Sequence, residues 1–92
     1  MMAKQLTRVY PDAGGKVTFP PNSYGQENGI WYIRPPDCHL GSLENHTVVE
    51  HEDGTITVSP SILHRDFKRV DGERVVDIQV HGFLERGIWR DC

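Results

Sequence analysis

Apolar and polar residues alternate with a period of two in several short stretches of the chain, and no window of ten or more residues carries the 3.6-residue period of an amphipathic helix. The alternation begins at residues 6–10 (Leu-Thr-Arg-Val-Tyr) and breaks at Pro11, Asp12, Ala13, Gly14 and Gly15, which is turn chemistry. It returns at residues 16–19 and stops at Pro20 and Pro21. Residues 22–28 are polar and contain a glycine, which predicts a loop ending at Asn28. Residues 29–34 are aromatic and β-branched, which predicts a strand closed by Pro35 and Pro36. Residues 39–45 form either a short helical turn or a loop, because Gly41 and Asn45 oppose a longer helix.

Three hairpins follow. Asp53 and Gly54 suit the two positive-φ positions of a type I′ turn. Pairing about that turn sets Val49 opposite Val58 and His51 opposite Ile56, with Val49, Ile56 and Val58 on one face. Asp71 and Gly72 are a second turn of the same kind and set Phe67 opposite Val76. Glu85, Arg86 and Gly87 suit a three-residue turn that sets Leu84 opposite Ile88 and Phe83 opposite Trp89. Many short strands between Gly, Asp and Pro turns predict a mainly β fold, or α+β with one short helix. The expected form is a small antiparallel meander or open barrel of three hairpins, with residues 1–92 as one domain.

Composition narrows the function classes. The 92 residues are 37% hydrophobic and 25% charged, which opposes disorder. No apolar run approaches the roughly 20 residues of a membrane span, and the first residues lack an apolar signal-peptide stretch. A soluble, cytoplasmic protein is expected, with Cys38 and Cys92 as free thiols. The net charge of −3 is unevenly spread. Asp37, Glu44, Glu50, Glu52 and Asp53 lie in a stretch free of Lys and Arg, whereas Arg65, Lys68, Arg69, Arg74, Arg86 and Arg90 lie in the last third. Six acids balance that last group, so a globally basic nucleic-acid binder is disfavoured and a local basic strip is not.

Candidate chemistry is sparse. The residues able to ligate a metal are Cys38, His39, His46, His51, His64, His81 and Cys92, without the paired short spacing of a structural zinc site. Cys92 could reach back to His81 across the last hairpin. A small zinc module using Cys38, Cys92 and one or two histidines is therefore an alternative, and no metal or cofactor is the first expectation. Cys38 with a nearby histidine could serve a thiol-dependent enzyme, but no acid/base set can be assembled around it. The strip His64, Arg65, Asp66, Phe67, Lys68, Arg69 mixes cations with an aromatic, as nucleic-acid grooves do. Pairing with Val76 instead places Phe67 in the core, and Trp31 and Trp89 are expected there too.

The segments Thr57, Val58, Ser59, Pro60, Ser61, Ile62, Leu63 and Val80, His81, Gly82, Phe83, Leu84, followed by Gly87, Ile88, Trp89 and Cys92, carry a resemblance. Residues 30 to 92 resemble small proteins of tailed phages and prophages that have no settled function. Their pattern runs from Cys-Pro-Gly-Cys through Thr-x-Ser-Pro-Ser-Ile-Leu to Cys-His and a hairpin ending in Cys. This chain keeps Cys38 and Cys92, while Pro35 and Val80 stand at the other two cysteine places. With Val80 opposite Cys92, a former metal or thiol pair replaced by packing is implied, and bound zinc is less expected.

Phage proteins of this size without a catalytic site often act by binding, and one recurrent class, the anti-CRISPR proteins, blocks a bacterial immune complex. The resemblance thus implies a non-enzymatic inhibitor docking on a CRISPR surveillance complex of protein and guide RNA, with no membrane and no small-molecule substrate. Glu44, Glu50, Glu52, Asp53 and Asn28 are the expected protein-binding residues, suited to basic subunits. Arg65, Lys68 and Arg69 are the expected nucleic-acid contacts.

Overall fold

The computed structural model describes residues 3–92 and is built entirely of strands, with no helix among the described residues. The strands are β1 (Ala3–Gln5), β2 (Thr7–Arg8), β3 (Ser23–Glu27), β4 (Ile30–Arg34), β5 (Gly41–Ser42), β6 (Thr47–Glu50), β7 (Ile56–Val70), β8 (Glu73–Glu85) and β9 (Ile88–Asp91). They form a five-stranded sheet in the order β1-β9-β8-β7-β6 and a four-stranded sheet in the order β2-β3-β4-β5. The mainly β expectation holds, the alternative short helix does not occur, and the sheets do not close into a barrel. Among the described residues no helix is long and apolar enough to cross a membrane.

The first alternating stretch is shared between the two sheets rather than forming one strand. β1 pairs antiparallel with β9, β2 pairs parallel with β3, and the buried Leu6 between them donates its N–H to the Gly87 carbonyl at 2.8 Å. Residues 16–19 form no strand, although Val17 is buried and its N–H reaches the Glu27 carboxylate at 2.7 Å.

The expected loop at 22–28 is instead mostly strand β3. Asn28 and Gly29, with φ of 52° and 81°, make the tight turn to β4. Gly25 lets β3 approach the preceding segment, since a Cβ there would stand 2.7 Å from the Val9 carbonyl. Tyr24 beside it enters the core. Residues 39–45 resolve into the two-residue strand β5 and turns.

Two hairpin registers differ by one residue from the alternation reading. At the first, His51 donates its N–H to Thr55 and Gly54 donates to His51, and of the turn residues only Gly54 has positive φ. The loop is thus three residues long. It pairs Val48 with Val58, Val49 with Thr57 and Glu50 with Ile56, leaving Val49 exposed. The Asp53 carboxylate accepts from the Thr55 N–H and hydroxyl, which holds Asp53 out of the left-handed region. At the last hairpin Arg86 and Gly87 both have positive φ and form a two-residue turn. Leu84 then opposes Trp89, both fully buried, and Phe83 opposes Arg90 and faces solvent.

The Asp71-Gly72 turn is as expected, with φ of 52° and 79° and Phe67 opposite Val76. It joins two long strands into an arm. β7 runs through Pro60 with a register shift between Val58 and Ile62, and a second shift falls between Asp66 and Phe67. Leu6, Tyr24, Ile33, Leu43, Ile56, Val58, Ile62, Leu84 and Trp89 form the core between the sheets, with Trp31 packed at its margin.

Candidate functional site

The outer face of the arm carries four arginines and two exposed phenylalanines. Cross-strand partners share a face and neighbours along a strand alternate. Ile62 and Asp66 are buried on the inner side of β7. Leu63, Arg65, Phe67 and Arg69 therefore project outward with their partners His81, Gln79, Val76 and Arg74. Phe83 and its partner Arg90 extend the same face, which also carries Glu85 at its base. Phe67 is 44% exposed and Phe83 50% exposed, so neither belongs to the core.

Several of these side chains hold one another in place. The Arg74 guanidinium lies 3.8 Å from the Phe67 ring centroid, Arg65 Nε donates to Gln79 Oε1 at 2.9 Å, and Arg69 donates to the Gly72 carbonyl at 3.1 Å. The surface presents cationic groups interleaved with apolar rings.

Of the three cations expected to meet nucleic acid, Arg65 and Arg69 share this face and Lys68 does not. Lys68 projects from the opposite side of β7, where its Nζ lies 3.3 Å from the Asp77 carboxylate. Arg74, Arg90 and Phe83 belong to the face and escaped the sequence reading. The Asp71-Gly72 register already places Arg74 opposite Arg69, so that signal was available. Phe83 and Arg90 needed the correct two-residue turn at Arg86-Gly87.

The expected acidic protein-binding residues divide into two places. Glu50, Glu52 and Asp53 stand at the tip of the β6–β7 hairpin and line an open recess with His51 and Arg86. Glu50 is already engaged: Arg8 donates to its carboxylate at 2.7 Å and to the Gly54 carbonyl at 2.8 Å, while stacking 4.5 Å from the Tyr10 ring and 4.8 Å from Trp31. Glu44 instead borders a second recess with Trp31, Leu43, His46 and Val48, next to the turn that contains Asn28.

The two cysteines also part company. Cys92 is exposed and donates its N–H to the His81 carbonyl at 2.8 Å, so it stands opposite His81 and not opposite Val80. Cys38 is 5% exposed, in the loop after β4, and meets His64 and Asp66 of β7. His64 Nε2 lies 2.8 Å from Asp66 Oδ1, and the His39 N–H donates to Asp66 Oδ2 at 2.9 Å. Burial opposes the Asp66 charge, but these two partners outweigh it and keep the carboxyl below its ordinary range. Burial, reinforced by the carboxylates of Asp66, Asp37 and Asp91, pushes the Cys38 thiol up to about 11. A thiol, a histidine and a carboxylate in sequence would suit nucleophilic catalysis, but an attacking thiol needs access and a lowered pKa, and Cys38 has neither.

The chain matches no protein family, no curated protein and no solved structure.

Proposed function

We propose that the protein is a non-enzymatic binding protein that docks on a protein–RNA assembly and lays the outer face of its arm along exposed single-stranded RNA. The observation that carries this reading is the grouping of Arg65, Arg69, Arg74 and Arg90 with the exposed rings of Phe67 and Phe83 on one sheet face. Arginines neutralise phosphates and aromatic rings stack under bases without regard to sequence. The acidic tip at Glu52 and Asp53 complements a basic subunit of the same assembly. The resemblance to phage proteins makes bacterial CRISPR surveillance complexes the first assemblies to examine, with the protein acting as their inhibitor.

Fluorescence anisotropy with a labelled single-stranded RNA tests the contact. Binding should weaken with salt, with a log–log slope of about −2 to −3 for three or four neutralised phosphates. Phe67→Ala should cost about 1–3 kcal/mol of affinity, and Lys68→Ala should change it little. Absence of binding at low salt, or equal affinity for Phe67→Ala and the native chain, defeats the proposal. Co-purification with a surveillance complex, weakened by Glu52→Lys, is the further outcome expected. Glu52 is the better probe than Glu50, whose reversal would also break the Arg8 ion pair.

A further inference from the structure

The buried meeting of Cys38, His64 and Asp66 is independent of the outer face and does different chemistry. One donor atom from each residue lies within 4.8 Å of the others, and all three residues are largely buried. We infer that these three side chains form a binding site for a zinc-class divalent ion that fastens the two sheets together.

The donor types fit. Thiolate sulfur, imidazole nitrogen and carboxylate oxygen are the ordinary ligands of zinc, with bonds of about 2.0–2.3 Å. Donors around a tetrahedral ion of that size stand about 3.3–3.8 Å apart. The observed cluster therefore needs side-chain movements of about 1 Å to close on an ion. Three protein donors leave the fourth position to water.

The surroundings already orient the ligands. The His64 ring packs closely on Gly41, where a Cβ would stand 2.7 Å from Nδ1 and 2.9 Å from Cε1. Nε2 points to Asp66 and is the nitrogen available to a metal. Asp66 keeps its second oxygen on the His39 N–H, the kind of outer hydrogen bond that fixes a ligating carboxylate. The Cys38 thiol has no hydrogen-bond partner among the described residues. On binding, the ion takes the place of the proton between Nε2 and Oδ1. That proton is displaced from Nε2 and the thiol proton leaves to solvent, because a ligating imidazole nitrogen and a thiolate carry none.

The position gives the ion a structural task. Cys38 follows β4 of the four-stranded sheet, and His64 and Asp66 belong to β7 of the five-stranded sheet. A small domain with a thin core gains from such a cross-link. This ligand set differs from the Cys38–Cys92 pair that the sequence suggests.

The test uses the full chain, purified without a histidine tag, stripped with chelator and titrated with Zn2+ and Co2+. One equivalent should bind with a micromolar or tighter Kd. A hundredfold excess of Zn2+ over Kd should raise the melting temperature by about 10–20 °C. Cys92→Ser leaves Cys38 as the sole thiol with the core intact. In that variant Co2+ should still give a thiolate-to-metal charge-transfer band in the near ultraviolet, and Asp66→Asn should weaken Co2+ binding at least tenfold. Loss of the band in Cys92→Ser, or no metal-dependent change in melting, overturns the inference.

Discussion

At the scale of single residues, the fold depends on a few close approaches. Gly82 lies under Trp89, where a Cβ would stand 2.5 Å from the indole Cζ2 and 2.6 Å from the Arg90 carbonyl. Gly82→Ala therefore overpacks a core that includes a backbone atom, and should destabilise by about 1–3 kcal/mol in chemical denaturation. Asp53 acts through its charge. Its bonds to the Thr55 hydroxyl and N–H hold its carboxyl below the ordinary value of about 3.9. A depressed folded pKa contributes stability above the unfolded pKa, and that contribution disappears as pH falls through the folded one. Melting temperatures measured between pH 5 and pH 2 should thus fall less steeply for Asp53→Asn than for the native chain. The sequence showed Asp53 and Gly54 as a turn but not this carboxylate bond. That bond keeps Asp53 out of the type I′ conformation and moves the register by one. The meeting of Cys38 with His64 and Asp66 was invisible for another reason: it joins loop and strand across 26 residues, and no local spacing encodes it.

At the scale of elements, what alternation could and could not show is clear from β7 and β8. Strand existence and the Asp71-Gly72 turn were legible, because a type I′ dipeptide between alternating runs leaves little choice. The face of Phe67 was not. Opposition to Val76 states that two side chains share a side, and it does not state which side meets the core. Here the distal arm extends past the core, so both residues stay near half exposed. β3 was missed because Ser23, Tyr24 and Gly25 are all buried, which erases the alternating signal, although the Asn28-Gly29 turn pointed to it. Because the distal arm packs little, replacing residues 67–77 by an Asn-Gly turn should leave the melting temperature within about 5 °C, by differential scanning calorimetry. The same change removes Phe67, Arg69 and Arg74 and should abolish RNA binding in anisotropy measurements.

At the scale of the whole molecule, the two sheets communicate through the start of the chain. Leu6 is buried at the point where the backbone leaves the five-stranded sheet for the other, and it touches the cluster that includes Tyr24 and Trp89. Leu6→Ala leaves a cavity at that crossing and should cost about 2–4 kcal/mol, read as a lower denaturant midpoint with unchanged slope. The distribution of charge matters at this scale as well. A chain of net charge −3 carries four arginines on one face, so its behaviour toward polyanions follows the local field and not the total.

The length of β7 and β8 has a last effect. Among the described residues, β7 beyond Ile62 has β8 on one side and no strand on the other, and β8 has only β7 before it reaches the segment paired with β9. Those rims carry free amide and carbonyl groups, which invite another copy to add itself edge to edge. Antiparallel pairing of two β7 rims about Phe67 would set Arg65 of one copy opposite Arg69 of the other, and repulsion between these like charges opposes the pairing. Screening removes that barrier. Concentrated stocks should accordingly stay monodisperse in dilute buffer, and light scattering should report growing particles as sodium chloride is added.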